Sequence, residues 1–350
     1  MRHKIISTLL IFVLIIFVGS GFGQEMKKTG SSGASILKVA VGAKATALAG
    51  AMTTAQGDVN QLFWNPAGIA MESGKTQVTF SYNDWIAGLS HNAFAVAHSF
   101  GNLGTFAIGG MMSGVGDIVA NRDIQPGLEG VTYVDDATFD FNSNFIALSW
   151  ARNFTDKLSL GATAKYFSES IDGVGVHAFA MDFGAIYQLG YKDLAIGARI
   201  QNLGQDYMYY YIPVNLPLMF SFGASYSFIN SDIFGIKGYV DATKPLDADQ
   251  MILGGVEAHL FKNLFVRTGY KFNFQGIQDE YLDRNVYYTD EAVNRPSWMS
   301  KQSYNRTDEG LSLGAGLDIP YSGYRLTIDY TWTKFDILDD VNRFSLTFKF

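Results

Sequence analysis

From about residue 76 onward, apolar and polar positions alternate with a period of two. Phe344, Leu346, Phe348 and Phe350 are separated by Ser345, Thr347 and Lys349, and Tyr324, Leu326, Ile328, Tyr330 and Trp332 by Arg325, Thr327, Asp329 and Thr331. Successive side chains of a strand point to opposite faces, so each run has one large apolar face and one small or polar face. About fourteen such runs follow one another, at 76–84, 91–100, 103–112, 141–151, 158–167, 175–187, 194–202, 218–228, 236–242, 250–261, 264–272, 310–319, 324–334 and 341–350. Most approach ten residues. That matches a tilted membrane-spanning strand of about 9–11 residues better than a globular strand of about 5–6.

The connections carry a second signal. Counted from the first run, the long gaps (113–140, 203–217 and 273–309) all fall at odd positions, and the even gaps are short, as at Gly101-Asn102 and Lys262-Asn263. An outer-membrane barrel has short turns on its periplasmic side, longer loops outside and an even strand number. Aromatic residues recur near the ends of the runs: Tyr82, Trp85, Phe100, Trp150, Tyr166, Tyr187, Tyr270, Tyr330 and Trp332. These are the positions of interfacial girdles. The pattern therefore predicts an all-β fold, a transmembrane antiparallel β-barrel of about fourteen strands spanning 76–350. A secreted sandwich, which would turn its apolar faces inward, fits the strand lengths and girdles less well. The alternating apolar end, Phe344, Leu346, Phe348 and Phe350, resembles the assembly signal of such barrels.

Two segments precede the barrel. Arg2, His3 and Lys4 lead into an unbroken run of ten apolar residues, Leu9 to Val18, and then Gly21-Phe22-Gly23. This is the pattern of a secretory signal peptide over 1–23, and ten residues are too few to cross the bilayer as a helix. Residues 24–75 are rich in small side chains but hold Leu62, Phe63 and Trp64, which need somewhere to bury. The expectation is a hatch inside or under the barrel.

Composition removes several classes of function. The 350-residue chain carries a net charge of −7, with no basic stripe of the kind nucleic-acid binders show. It has no cysteine, which excludes disulfides, thiolate metal sites and cysteine nucleophiles. Its five histidines are scattered with no metal-ligand spacing. Gly310-Leu311-Ser312-Leu313-Gly314 matches a nucleophile-elbow string, but it opens an alternating strand and not a strand-to-helix turn. No enzyme, cofactor or metal is expected. Asp182, Glu257, Asp318 and Asp329 could face the lumen opposite Arg199, Arg267, Lys271 and Arg325, as ion pairs or as a charge ring that tunes passage.

Tyr207, Tyr209, Tyr210 and Tyr211, together with Trp298 in the long 273–309 loop, are candidate contacts for a partner or an apolar ligand. Such rings join apolar area to a polar handle. The alternative is that these loops pack on themselves as a lid. Trp64-Asn65-Pro66-Ala67-Gly68 reads as a rigid corner. Pro66 restricts Asn65 to extended geometry, Asn65 can start a turn, and Ala67 and Gly68 allow close passage along a wall.

Gly42-Ala43-Lys44-Ala45, Leu48-Ala49-Gly50-Ala51, Asp58 and Phe63-Trp64-Asn65-Pro66-Ala67-Gly68-Ile69-Ala70 resemble the N-terminal signature of the PorV/PorQ family among the FadL-like outer-membrane proteins. Ser81-Tyr82-Asn83-Asp84-Trp85 and Gly114-Val115-Gly116-Asp117-Ile118 are similar to it as well. The resemblance implies a fourteen-stranded barrel with a hatch in the outer membrane of a diderm bacterium, surrounded by outer-membrane lipid. It implies two possible roles: an accessory component of type IX protein secretion, with a translocon and secreted cargo as partners, or a FadL-like uptake channel for hydrophobic small molecules.

Overall fold

The computed structural model describes residues 31–85, 88–119, 138–209, 211–248, 250–274, 309–335 and 339–350. The expected signal peptide, the centres of two long connections, Tyr210 and Trp298 lie outside them. Sixteen strands follow in chain order: β1 Thr76–Asp84, β2 Ser90–Ser99, β3 Thr105–Val119, β4 Thr138–Asn153, β5 Leu158–Ile171, β6 Val174–Gln188, β7 Ala195–Gly204, β8 Tyr207–Tyr209, β9 Ile212–Val214, β10 Met219–Asn230, β11 Phe234–Pro245, β12 Gln250–Leu260, β13 Leu264–Phe274, β14 Glu309–Tyr321, β15 Tyr324–Phe335 and β16 Val341–Lys349.

Fourteen of them form one closed antiparallel barrel, in which each strand pairs with its sequence neighbour and β1 closes on β16. The remaining two, β8 and β9, form a separate hairpin between β7 and β10. Closure leaves no unpaired edge, which hydrocarbon would otherwise leave unsatisfied. The closing seam is regular. Val78 sits opposite Phe348, Phe80 opposite Leu346 and Tyr82 opposite Phe344, all on the outer face. Between them Thr79 meets Thr347 (3.0 Å) and Ser81 meets Ser345 (2.8 Å) on the inner face.

The burial pattern is inverted relative to a soluble sheet. Phe80, Phe179 and Leu148 are more than half exposed, while Thr79, Ser81, Thr331 and Ser345 are buried. The period of two thus separates a lipid-facing band from a lumen of small and polar side chains. Strands run past the apolar alternation at the end that carries the long connections. β3 extends to Val119 and β4 begins at Thr138, so the connection expected over 113–140 is shorter. Outside the bilayer a ladder needs only its backbone bonds and not an alternating face. The stretch 203–217 is likewise not a plain loop, because it contains the β8–β9 hairpin.

Residues 32–75 occupy the lumen. They form one short α-helix, α1 (Ala43–Ala47), three 3₁₀ turns (Ser35–Lys38, Val59–Phe63 and Pro66–Ile69) and extended links. Leu48, Met52, Val59, Leu62 and Ile69 are fully buried and join Ala93, Ala95, Ala107, Met111, Phe145 and Phe167 of the wall in one apolar cluster. The segment starts near the end with the long connections, where the Gly33 N–H donates to the Asn215 carbonyl (3.1 Å) and Lys38 pairs with Asp247 in the β11–β12 turn (2.6 Å). It leaves at the opposite end, where the Thr76 N–H donates to the Phe350 carbonyl (2.7 Å).

Three cross-strand glycine pairs make room for it. Gly161 of β5 and Gly184 of β6 face Asn65, Pro66 and Ala67, and Gly197 of β7 and Gly223 of β10 face Thr53. Gly255 of β12 and Gly269 of β13, with Gly314 of β14 beside them, face Ala47, Leu48 and Ala49. A Cβ on Gly255 would stand 2.9 Å from Leu48 Cβ, and one on Gly197 would stand 2.7 Å from the Thr53 carbonyl oxygen. Side chains at these points would exclude the segment, because a packed interior yields little.

Gly269→Val should therefore unseat the segment at α1, lowering the unfolding midpoint in detergent by the equivalent of about 1–3 kcal/mol of overpacking. Gly254→Ala is the control, since its Cβ meets nothing within 4 Å. Equal midpoints for both variants would show that the glycine seat carries no packing constraint.

Candidate functional site

The Trp64–Gly68 corner is built from local rules and then locked by the wall. Ahead of Pro66, Asn65 is extended (φ −121°, ψ 107°), and its Oδ1 accepts from the Ala67 N–H (3.1 Å), starting a 3₁₀ turn with proline in its first position. Asn65 Nδ2 donates to the Thr53 carbonyl (2.6 Å) and reaches the Ala198 carbonyl of β7 (3.4 Å). Trp64 Nε1 donates to the Val41 carbonyl (2.9 Å), so the indole is fixed from inside the segment. Gly68 sits against the Ala55 backbone and Gln61, where no larger residue fits. All five residues are buried.

Charged side chains of the wall reach the same corner. The Arg199 guanidinium lies over the Trp64 ring, 5.2 Å from its centroid, and 3.8 Å from the Asp241 carboxylate. Asp241 in turn accepts from both the backbone N–H (3.0 Å) and the hydroxyl (2.6 Å) of Thr53. Beside them Lys165 pairs with Asp182 (2.6 Å) and donates to Asn202 Oδ1 (2.9 Å). Across the lumen Arg267 bridges Glu257 and Asp329, both at 2.6 Å. Asp318 pairs with Arg325 (3.2 Å), and Lys271 with Glu309.

The eight charged residues singled out in the sequence thus all lie in ion pairs, but only Glu257–Arg267–Asp329 and Asp318–Arg325 pair among themselves. The partners Asp241, Lys165 and Glu309 give no signal in the sequence, because register decides them. Within the segment, Lys44 of α1 approaches Asp58 (3.5 Å). Burial alone would raise the Asp58 pKa, but Lys44, Lys349 and the Asn60 donors bring it below its ordinary value. Burial lowers the Lys44 pKa, and Asp58, with Glu257 and Asp329, more than restores it.

Phe145, Phe167, Val176, Tyr207 and Leu216 belong to the same apolar cluster as Ile36 and Leu37 of the segment. Polar groups border it: Asn202 Nδ2 reaches the Leu37 carbonyl (3.4 Å), and Lys165 Nζ lies 5.9 Å from the Phe145 ring centroid. Phe63 meets Phe145 edge-on (6.1 Å), and Phe167 stacks obliquely on Tyr207 (5.9 Å). The tyrosine run is accordingly divided. Among its described members, Tyr207 is buried over Gly33, Tyr209 is half-buried against the core, and Tyr211 projects, 92% exposed. Lid-like packing describes the first two better than external contact does.

Phe344, Leu346, Phe348 and Phe350 lie on the outer face, where they can carry recognition only as part of the lipid-facing band. Trp85 does not join the girdle. It packs on His91 and Phe335 with Arg343 over its ring, on the lumen side. Ser312 sits buried in mid-strand, donating to Thr333 Oγ1 (3.3 Å). Among the described residues no group of three or more His, Asp or Glu side chains is arranged to hold a metal ion.

The chain superposes along most of its length on solved outer-membrane barrels. The fold is that of the FadL-like outer-membrane barrels. The Ralstonia pickettii toluene transporter TbuX superposes with a TM-score of 0.51 at 13% identity, over 88% of this chain and 97% of that one. The P. putida toluene transporter TodX gives 0.53 at 9% identity, over 88% and 98%. A Pseudomonas aeruginosa FadL homologue gives 0.53 at 10% identity, over 89% and 98%. No family model matches the sequence, and no curated protein matches it.

Two outcomes follow. Arg199→Ala should cost about 3–5 kcal/mol, because it strands the buried Asp241 carboxylate. Asp241→Asn, which keeps an acceptor for Thr53, should cost less. Unfolding midpoints in detergent rank the two, and the reverse order would remove Arg199 as the clamp. The Lys44–Asp58 pair sets a pH window. Asp58 stabilises the seated segment above its unfolded value of 3.8 and loses this as pH falls through its lower folded value. Lys44 stabilises it below 10.5 and loses this as pH rises through its higher folded value. Asp58→Asn should reduce the acid-side fall in the midpoint; an unchanged acid limb would assign that fall to other carboxylates.

Proposed function

We propose that this chain is an outer-membrane channel admitting hydrophobic small molecules, exported by cleavage of residues 1–23, with residues 24–75 as its hatch and 76–350 as its barrel. The observation that carries this reading is the apolar cluster in which Phe145, Phe167, Val176, Tyr207 and Leu216 join Ile36 and Leu37. The last two are side chains of the hatch itself. An apolar ligand entering from the long-loop end would take their place.

The energies are commensurate. Burying the two side chains is worth roughly 3–6 kcal/mol together, and a ligand of millimolar to micromolar affinity contributes about 4–8 kcal/mol. Entry at the long-loop end then needs only local displacement of the Ser35–Lys38 turn. TbuX and TodX, described as toluene transporters, lend support through the shared fold.

A second reading, an accessory role in type IX secretion, rests on the motif resemblance and on one surface feature. Met208, Tyr211 and Ile212 at the tip of the β8–β9 hairpin stand exposed, as a protein contact would require. The comparisons add nothing to it.

Purified barrel should bind an apolar fluorescent probe, and Ile36→Ala/Leu37→Ala should raise its affinity about tenfold or more by vacating their places in the cluster. Binding by neither protein, together with copurification of a translocon from native membranes, would replace uptake with the secretion reading.

A further inference from the structure

A cavity of about 660 Å³ opens at the short-turn end of the barrel, beneath the N-terminal segment. That volume lies within the usual 300–1,000 Å³ of small-molecule sites, and the lining here sets several charged and amide side chains among apolar ones such as Met71 and Phe350. The segment contributes Gln56, Gly57, Met71, Glu72 and, at its exit, Lys75, and the wall contributes Gln77, Asn153, Gln188, Arg325 and Lys349 among others. Among its side chains, three cations (Lys75, Arg325 and Lys349) face one carboxylate, Glu72.

Not all of these groups are spent on the fold. Gln77 is, since its Oε1 accepts from Val59 and its Nε2 donates to the Gly57 carbonyl (3.0 and 2.8 Å). Arg325 is paired with Asp318. Lys75 and Lys349 form no ion pair among the described residues. Gln56 accepts a hydrogen bond from Gln188, yet its own Nε2 is buried with no acceptor. A buried donor left unmade costs free energy, and a ligand atom that accepts from it recovers that cost.

We infer that this cavity binds a small, soluble polyanion from the periplasm, of the di- or tricarboxylate or oligophosphate class, held by Lys75 and Lys349 with Gln56 as an uncharged donor. Glu72 and, for Lys349, nearby Asp58 offset part of this positive charge, but among the described residues neither forms an ion pair with these lysines, so an anion gains charge-assisted hydrogen bonds that an uncharged ligand does not. The site is shared between segment and wall, so a bound polyanion ties one to the other. Ligand that binds only the seated arrangement stabilises it by mass action. This inference does not depend on what passes through the barrel.

The test is titration calorimetry of the full-length chain in detergent with citrate and with pyrophosphate, and with sucrose as a neutral comparison. Both polyanions should bind, more weakly as salt is raised, and both should raise the unfolding midpoint; sucrose should do neither. Lys75→Gln/Lys349→Gln should weaken binding by at least about tenfold, since two charge-assisted contacts are lost. The salt dependence of the unaltered protein serves the same purpose if that variant does not fold. Absence of binding for both polyanions, equal binding of sucrose, salt-independent binding, or unchanged affinity in the double variant would each overturn the proposal.

Discussion

Hydrocarbon offers no hydrogen bonds, and the rest of the structure follows from that one constraint. Each strand must find both neighbours within the chain, so the wall closes on itself through β1 and β16. Once closed, its outer face must be apolar and its inner face is released from being so. A fourteen-stranded wall is too wide for its own side chains to fill, unlike an eight-stranded one. The lumen therefore needs contents, and the chain supplies them from its N-terminal segment. That segment brings its own polar backbone into a confined space. Its groups are met by Asp241, Asn65, Gln77 and Ser345, among others, and this is why the inner face is polar where the segment touches it and apolar where Leu62, Phe63 and Ile69 do.

Charge pairing within the lumen serves position more than stability. A buried ion pair recovers little beyond its desolvation cost, but removing one partner is expensive. Arg199 and Asp241 illustrate this: together they bracket Trp64 and Thr53, and losing Arg199 would strand the Asp241 carboxylate. The wall thus specifies where the corner of the segment sits, as a keyed seat and not as a sticky surface.

The barrel was legible in the sequence because one physical rule, alternation, writes itself into every strand independently. Val78, Phe80 and Tyr82 announce a lipid face without reference to any other residue. The corner at Asn65-Pro66 was legible for the same reason, since its turn is decided within a few residues. What depends on register was not. Gly161 and Gly184 look like any strand glycines until β5 and β6 are laid side by side and prove to be directly opposed. Asp182 and Arg199 each have several possible partners along the chain, and only the stagger of the strands selects Lys165 and Asp241. Tyr207 could be read as a loop contact or as part of a lid, and its burial was not legible because the group beside it, Gly33, is 174 positions away in sequence. Trp85 misleads because a strand-end aromatic can turn inward where a lumenal arginine waits.

The paired glycines have a further meaning for the wall considered alone. Where Gly161 meets Gly184, Gly197 meets Gly223 and Gly255 meets Gly269, the inner surface is bare backbone. At the first and last of these pairs the atoms a side chain would meet belong to the segment, whereas at Gly223 the Asp241 carboxylate of the wall lies close as well. The bore is therefore set by bare wall backbone on two sides and trimmed by a wall carboxylate on the third.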